Sequence, residues 1–272
     1  MPGAEGDFIL NPTKRLLEQG GFSLLFSIRQ TRSVEIVLAA KSAGYDSLYV
    51  DLEHGALTIG ETGQICVTAL AAGITPLVRV PAGATDVAAQ VLDLGAMGII
   101  APHITCPADA ERMVDCCKYP PVGSRSNSAT IPQQWLTNLP FTQLQARVNE
   151  ETTVYAMIET AAGLDCVDNI AAVPGIDVLL VGTSDLSAEL GIPGQFGSDL
   201  IIKAFERVIA AARKHGKYVS VGGGIKGGAG SSATILRKLR DMGVRQLSVG
   251  NDVSILTAAM RQRVTEINDV MK

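Results

Sequence analysis

No long run of lysine and arginine occurs in this 272-residue sequence, whose formal net charge is −4. Without a basic face the chain has no electrostatic footprint for nucleic acid or for anionic lipid, so neither is expected as a partner. Cysteine is sparse: Cys66, Cys106, Cys116, Cys117 and Cys166 make an odd set with no CxxC or CxxH spacing. That argues against a zinc site and reads as reduced, buried thiols in a cytoplasmic protein. No apolar run approaches the ~18 residues that would mark a membrane span. The opening residues also lack the basic-then-apolar order of a secretory signal, and the expected location is therefore cytoplasmic. Two catalytic chemistries lack their residues as well. No lysine ends an apolar strand-like run, as Schiff-base catalysis would need, and no serine or cysteine stands in a GxSxG setting.

What is abundant is apolar material, 47% of the chain against 18% charged, and it comes in a repeating order. Short β-rich runs at Phe22–Ile28, Ser47–Val50, Leu77–Val80, Gly98–Pro102, Thr153–Ile158, Asp177–Val181, Tyr218–Val221 and Gln246–Val249 are predicted strands. Between them lie segments of helical period: Ser33–Ala43, Thr58–Ala72, Ala84–Leu94, Pro107–Lys118, Gly163–Val173, Ser198–His215, Ser232–Met242 and Val253 to about Ile267. Glycines in AGYDS, AAGIT, DLGAMG, VPGID, KHGK and DMGVR stand where left-handed helix caps are wanted. Eight strands each followed by a helix is the arithmetic of a single-domain α/β fold, a (β/α)8 TIM barrel over residues 1–272.

Two connections stand out. The segment 119–152, YPPVGSRSNSATIPQQWLTNLPFTQLQARVNEET, reads as a long loop after strand four and is expected at the C-terminal mouth, as a lid or subunit contact. The glycine-rich stretch 222–230 after strand seven reads as a phosphate-binding loop or as a mobile rim.

Active sites of such barrels collect at the C-terminal ends of the strands. Here LYVDLEHG delivers Asp51, Glu53 and His54, PLVRV delivers Arg79, IIAPHI delivers His103, VYAMIE delivers Glu159, and VLLVGTSD delivers Gly182, Thr183, Ser184 and Asp185. Two hard carboxylates from adjacent strands, Glu159 and Asp185, suit a divalent metal such as Mg²⁺ or Mn²⁺; the competing reading of Asp185 is a cap for a helix starting at Leu186. Arg79 needs a carboxylate or an anionic ligand, and Glu53 is a candidate partner. Asp51 precedes His54 by three residues, a spacing that lets a carboxylate orient an imidazole; the alternative is a histidine with no chemical role at the entry to a helix.

With these motifs in view the sequence resembles the HpcH/HpaI family of metal-dependent class II pyruvate aldolases. YVDLEHG, LVRVP, MIET and AAVPGIDVLLVGTSDLSAELG carry the resemblance, which runs from about Phe22 to about Ala259. It implies that Glu159 and Asp185 hold the metal (Mg²⁺, Mn²⁺ or Co²⁺), that His54 is the acid/base group oriented by Asp51, and that Arg79 contacts the oxygen that becomes the enolate. Backbone N–H groups near Thr183 and Ser184 would hold the carboxylate of pyruvate. It further implies a homo-oligomer, a hexamer built as a trimer of dimers, whose last helix packs on another subunit and in which Asp93 serves a neighbour's site. Met157 stands where the family has glutamine, and the spacing from Arg79 to His103 resembles the macrophomate synthase branch.

The expected reaction is cleavage of a 4-hydroxy-2-oxo acid to pyruvate and an aldehyde through a metal-stabilised enolate. Decarboxylation of oxaloacetate, or enolate coupling of the macrophomate synthase kind, needs much the same site. A barrel that binds small oxo acids without turnover is the alternative from outside enzymology.

Overall fold

The computed structural model describes residues 8–272 apart from 129, 138 and 224–230, so the glycine-rich stretch 222–230 lies outside the described residues from 224 on. Eight parallel strands close a barrel in chain order. They are β1 (Ser23–Ile28), β2 (Ser47–Asp51), β3 (Thr75–Arg79), β4 (Gly98–Ala101), β5 (Thr153–Ile158), β6 (Val178–Gly182), β7 (Tyr218–Gly222) and β8 (Gln246–Asn251). All eight fall where the apolar runs put them, and β1 pairs with both β2 and β8 to seal the ring.

The helices are α1 (Pro12–Glu18), α2 (Glu35–Ser42), α3 (Ile59–Ala72), α4 (Thr85–Asp93), α5 (Pro107–Cys117), α6 (Phe141–Glu151), α7 (Ala161–Asp165), α8 (Val167–Ala172), α9 (Thr183–Glu189), α10 (Asp199–Lys214), α11 (Ser231–Met242) and α12 (Asp252–Val270). Thr58 and Glu61 form a reciprocal capping box at α3, and Gly73 ends that helix at φ 66°, the left-handed position where a side chain would be strained. The single helix expected over 163–173 is two, divided at Cys166.

Strand periodicity explains both the core and the site. Side chains of a strand alternate between faces, so every second residue points into the barrel. Leu25, Tyr49, Leu77, Ile100, Tyr155, Met157, Val178 and Leu180 fill the lumen. Their neighbours Phe26, Leu48, Val50, Val78, Ile99, Val154, Ala156, Leu179 and Val181 face outward into the layer shared with the helices. Continuing the inward series by one step from Tyr49, Leu77, Met157 and Leu180 gives Asp51, Arg79, Glu159 and Gly182. The polar residues at the mouth are thus the next rung of the same ladder.

Segment 119–152 is not a loop at that mouth. It follows α5, not β4, and α5 carries the chain back to the opposite end before the segment begins. There Gln133 Nε2 donates to the carbonyls of Leu92 (2.7 Å) and Ala96 (2.9 Å), and the Ile9 N–H donates to Gln133 O at 2.7 Å. Its last third is a helix, α6, anchored by buried Leu144, Val148 and Glu151. The segment therefore closes the floor of the barrel.

No helix among the described residues is long and apolar enough to cross a membrane. The last helix is unusual: Asp252 is its one buried residue, while Leu256, Met260, Val264 and Ile267 are exposed.

Candidate active site

Asp51 lies at the centre of one half of the mouth. Its carboxylate accepts from Arg79 Nε (2.9 Å) and Nη2 (2.6 Å), from Arg29 Nε (3.0 Å), and from the backbone N–H groups of Glu53 and His54 (both 3.1 Å). Burial alone would raise this carboxyl, but the arginines and the His54 N–H outweigh it and hold Asp51 below its ordinary value. The expectation that Asp51 orients the His54 ring is corrected here. An aspartate readily folds over the amides two and three residues on, and Asp51 does so, meeting the backbone of His54 and not its imidazole. The ring instead has Glu53 nearby, Nε2 to Oε2 3.9 Å, and more than half of the His54 side chain is exposed. The chain leaves this turn through Gly55, where a Cβ would collide with the Asp51 carbonyl oxygen.

Arg79 is buried, 4% exposed, and Asp51 and the ring face of Tyr49, 5.3 Å from its guanidinium carbon, fix its plane. Its Nη1 also lies 3.0 Å from Glu53 Oε2, the ion pair anticipated from the sequence. That contact lacks hydrogen-bond geometry, and Glu53 Oε2 is a buried oxygen with no hydrogen-bond donor.

The other half of the mouth is acidic. Glu159 is 1% exposed and accepts one N–H, from the backbone of His103 at 2.8 Å. Burial pushes its carboxyl up to about 7, and the charges of Asp185 and Glu53 add to that while His103 opposes it. Gly182 makes room for this group: a Cβ there would lie 2.7 Å from Glu159 Oε2. Asp185 is exposed in the first turn of α9, which starts at Thr183 and not at Leu186. Thr183 is buried and its hydroxyl donates to Gly222 O at 2.5 Å, pinning the β6 exit to β7. Gly223, at φ 83°, leaves the space a Cβ would take from the hydroxyls of Thr183 and Ser184.

His103 bridges the acidic groups. Its Nδ1 is 3.4 Å from Glu159 Oε1 and its Nε2 3.6 Å from Glu53 Oε1. The residue sits at φ 53°, a left-handed conformation that costs a non-glycine residue energy and that turns its N–H onto Glu159. Met157 lines the lumen just beneath Glu159. Asp93 ends α4 at the far end of the barrel, where it pairs with Arg125 at 2.6 Å. The structure therefore brings together Asp51, His54, Arg79, His103, Glu159, Gly182, Thr183, Ser184 and Asp185, and leaves Asp93 outside that group. Arg29 joins them without standing out in the sequence; its signal is parity, since it is two residues beyond Ser27 on an inward-facing series.

Chemically the mouth has two sides, a buried guanidinium held rigid by Asp51 and a concentration of carboxylates with surplus negative charge. Among the described residues no three His, Cys, Asp or Glu side chains converge as a ready-made ligand set. Glu159 and Asp185 can offer two carboxylates, leaving other positions of a cation to water and substrate.

Comparison with known proteins shows what the chain resembles. The sequence profile described as HpcH/HpaI aldolase/citrate lyase matches residues 24–223. A 4-hydroxy-4-methyl-2-oxoglutarate aldolase of Hapsidospora irregularis is 43% identical over 199 residues, 72% of this chain and 73% of that protein. The crystal structure of an HpcH/HpaI aldolase from Desulfitobacterium hafniense superposes with a TM-score of 0.85 at 27% identity, covering 93% of this chain and 95% of that one. Macrophomate synthase, with a TM-score of 0.78 and 21% identity over 95% of this chain and 88% of its own, shares the fold.

Proposed function

The chain belongs to the HpcH/HpaI aldolase/citrate lyase family, and from that premise we propose that it cleaves 4-hydroxy-2-oxo acids to pyruvate and a second carbonyl compound. The enzyme is a carbon–carbon lyase, in keeping with the aldolases it resembles. The first substrate to try is 4-hydroxy-4-methyl-2-oxoglutarate, whose C3–C4 cleavage gives two molecules of pyruvate. The observation that carries the reading is Glu159, a buried carboxylate beside Asp185 and Glu53 with a single N–H donor.

Such a group fits a divalent cation, since a buried Glu159 carboxylate with one N–H donor, next to Asp185 and Glu53, calls for positive charge. Glu159 and Asp185 would hold it, as Mg²⁺, Mn²⁺ or Co²⁺, and its chemistry there is that of a Lewis acid for the 2-oxo group. The chain's own residues do the rest. Arg79, fixed by Asp51, presents a permanent positive charge to the oxygen that becomes the enolate. The backbone N–H groups of Thr183 and Ser184 bind the carboxylate next to the 2-oxo group. His54 takes the proton of the C4 hydroxyl at its imidazole as the C3–C4 bond breaks, with its electrons passing into the enolate, and the same proton is available for return to C3. His103, between Glu53 and Glu159, walls off the acidic side.

The exposed apolar residues of α12 support assembly with further copies of this chain, as expected for a homo-oligomer, and native mass spectrometry reads its size. The reaction is tested by incubating the protein and each metal with 4-hydroxy-2-oxo acids and with oxaloacetate, following pyruvate and carbon dioxide. Metal-dependent pyruvate release from the hydroxy acids is expected; pyruvate and carbon dioxide from oxaloacetate, with no pyruvate from any hydroxy acid, would make the enzyme a decarboxylase.

A further inference from the structure

Beside His103, on the side away from Glu159, the mouth opens into a cavity of about 260 Å³ between the β3–α4 and β4–α5 connections. His103 belongs both to its wall and to the carboxylate cluster, so this one side chain stands between the cavity and the reacting site. A 2-oxo acid end placed at Glu159, Asp185 and Thr183 on β5 and β6, with its enolate oxygen toward Arg79 on β3, directs C4 and its substituents past His103 toward this space. Its walls mix apolar Ile104 and Met113 with polar Thr85, Thr105 and Arg112.

The one other charged group in the wall is Asp109, and its carboxylate is already committed. Oδ2 accepts from the Thr105 N–H (3.0 Å), the Thr105 hydroxyl (2.7 Å) and the Cys106 N–H (3.2 Å), while Oδ1 accepts from Arg112 Nη2 at 2.6 Å. That last bond is the one hydrogen bond of Arg112 among the described residues, so Asp109 steadies the guanidinium and leaves its remaining N–H groups for a ligand. Resting on the aldolase reading above, we infer that Arg112 is a specificity-determining residue that binds the distal carboxylate of a 4-hydroxy-2-oxo dicarboxylic acid. The substrate class is thereby a 4-hydroxy-2-oxo dicarboxylic acid, whose leaving fragment carries the second carboxylate.

The test uses two ligands that lack a C4 hydroxyl and cannot be cleaved: 2-oxoglutarate, and 2-oxopentanoate, which has the same chain length and a methyl end. Calorimetric titration of the Mg²⁺-loaded protein should show about tenfold tighter binding of 2-oxoglutarate, the scale of one charge-assisted hydrogen bond at a partly exposed site. Arg112→Gln should bring the ratio to about one, and Arg112→Lys should restore part of it. Equal affinities in the wild type, or a preference that survives Arg112→Gln, would overturn the inference. Arg112 is exposed on α5, so the variants fold. Failure of the aldolase reading is seen separately, as no pyruvate released from any 4-hydroxy-2-oxo acid whatever the binding ratio.

Discussion

Two glutamates, Glu151 at the floor of the barrel and Glu159 at its mouth, are each 1% exposed, and their surroundings differ in kind. Glu151 pairs with the Arg15 guanidinium and accepts the Asn11 N–H at 2.8 Å, while Asn11 reaches on to Glu151 O and Met97 O. Its charge is answered within the fold, and the network ties α1, α6 and the β4 entry together. Glu159 meets one N–H and two other acids, and its carboxyl rises to about 7, burial being the main cause. A buried charge that the fold answers serves stability, whereas one that it leaves unanswered is kept for a ligand.

The largest effect expected from breaking this contrast is at Asp51, which belongs to both kinds. Asp51→Ala leaves buried Arg79 with Glu53 alone as its carboxylate partner, which costs roughly 3–5 kcal/mol of stability, and it frees the guanidinium from the position that faces the enolate. Denaturant unfolding and pyruvate release should therefore fall together. Next, His54→Ala should slow cleavage by roughly 10²–10⁴, the usual worth of an acid/base group. The melting temperature should stay unchanged, because His54 is exposed; unaltered turnover would reduce His54 to a bystander. Glu151→Ala should behave oppositely, losing about 1–3 kcal/mol of stability as the buried Asn11 N–H is left without its acceptor, with cleavage kept.

The smallest effect concerns pH. Asp252 accepts the N–H groups of Arg29 (3.2 Å), Gln30 (2.9 Å) and Thr31 (2.7 Å), bracing the loop that brings Arg29 to Asp51. Burial would raise its carboxyl, but these N–H groups lower it. A depressed carboxyl stabilises the fold above its unfolded value of about 4, and that contribution is lost as pH falls through the folded value. Unfolding curves of wild type and Asp252→Asn should differ at neutral pH and converge in acid.

How far the sequence speaks depends on what kind of fact is asked of it. An apolar run is local, so all eight strands, and with them Glu159 and Arg79 at strand exits and Asp185 just beyond one, are legible from the short β-rich runs and the glycine caps. The partner of a side chain is not local. Three residues separate Asp51 from His54 whether the carboxylate meets the ring or the backbone N–H, and only the folded turn decides. Helix α6 offers Phe141, Leu144 and Val148 at helical spacing in an otherwise polar segment, too thin an apolar stripe to announce itself. Segment 119–152 lies at the floor because α5 stands between it and the exit of β4.

Glu159→Gln, assayed with saturating Mg²⁺ or Mn²⁺ for pyruvate release from 4-hydroxy-4-methyl-2-oxoglutarate, puts the site and its chemistry to the same trial. The amide keeps the shape and removes the charge, so the barrel should remain folded, metal titration should show weakened binding, and no pyruvate should form. Turnover at the wild-type rate in the metal-replete variant would contradict the assignment of Glu159 and with it the metal-dependent cleavage derived from this mouth.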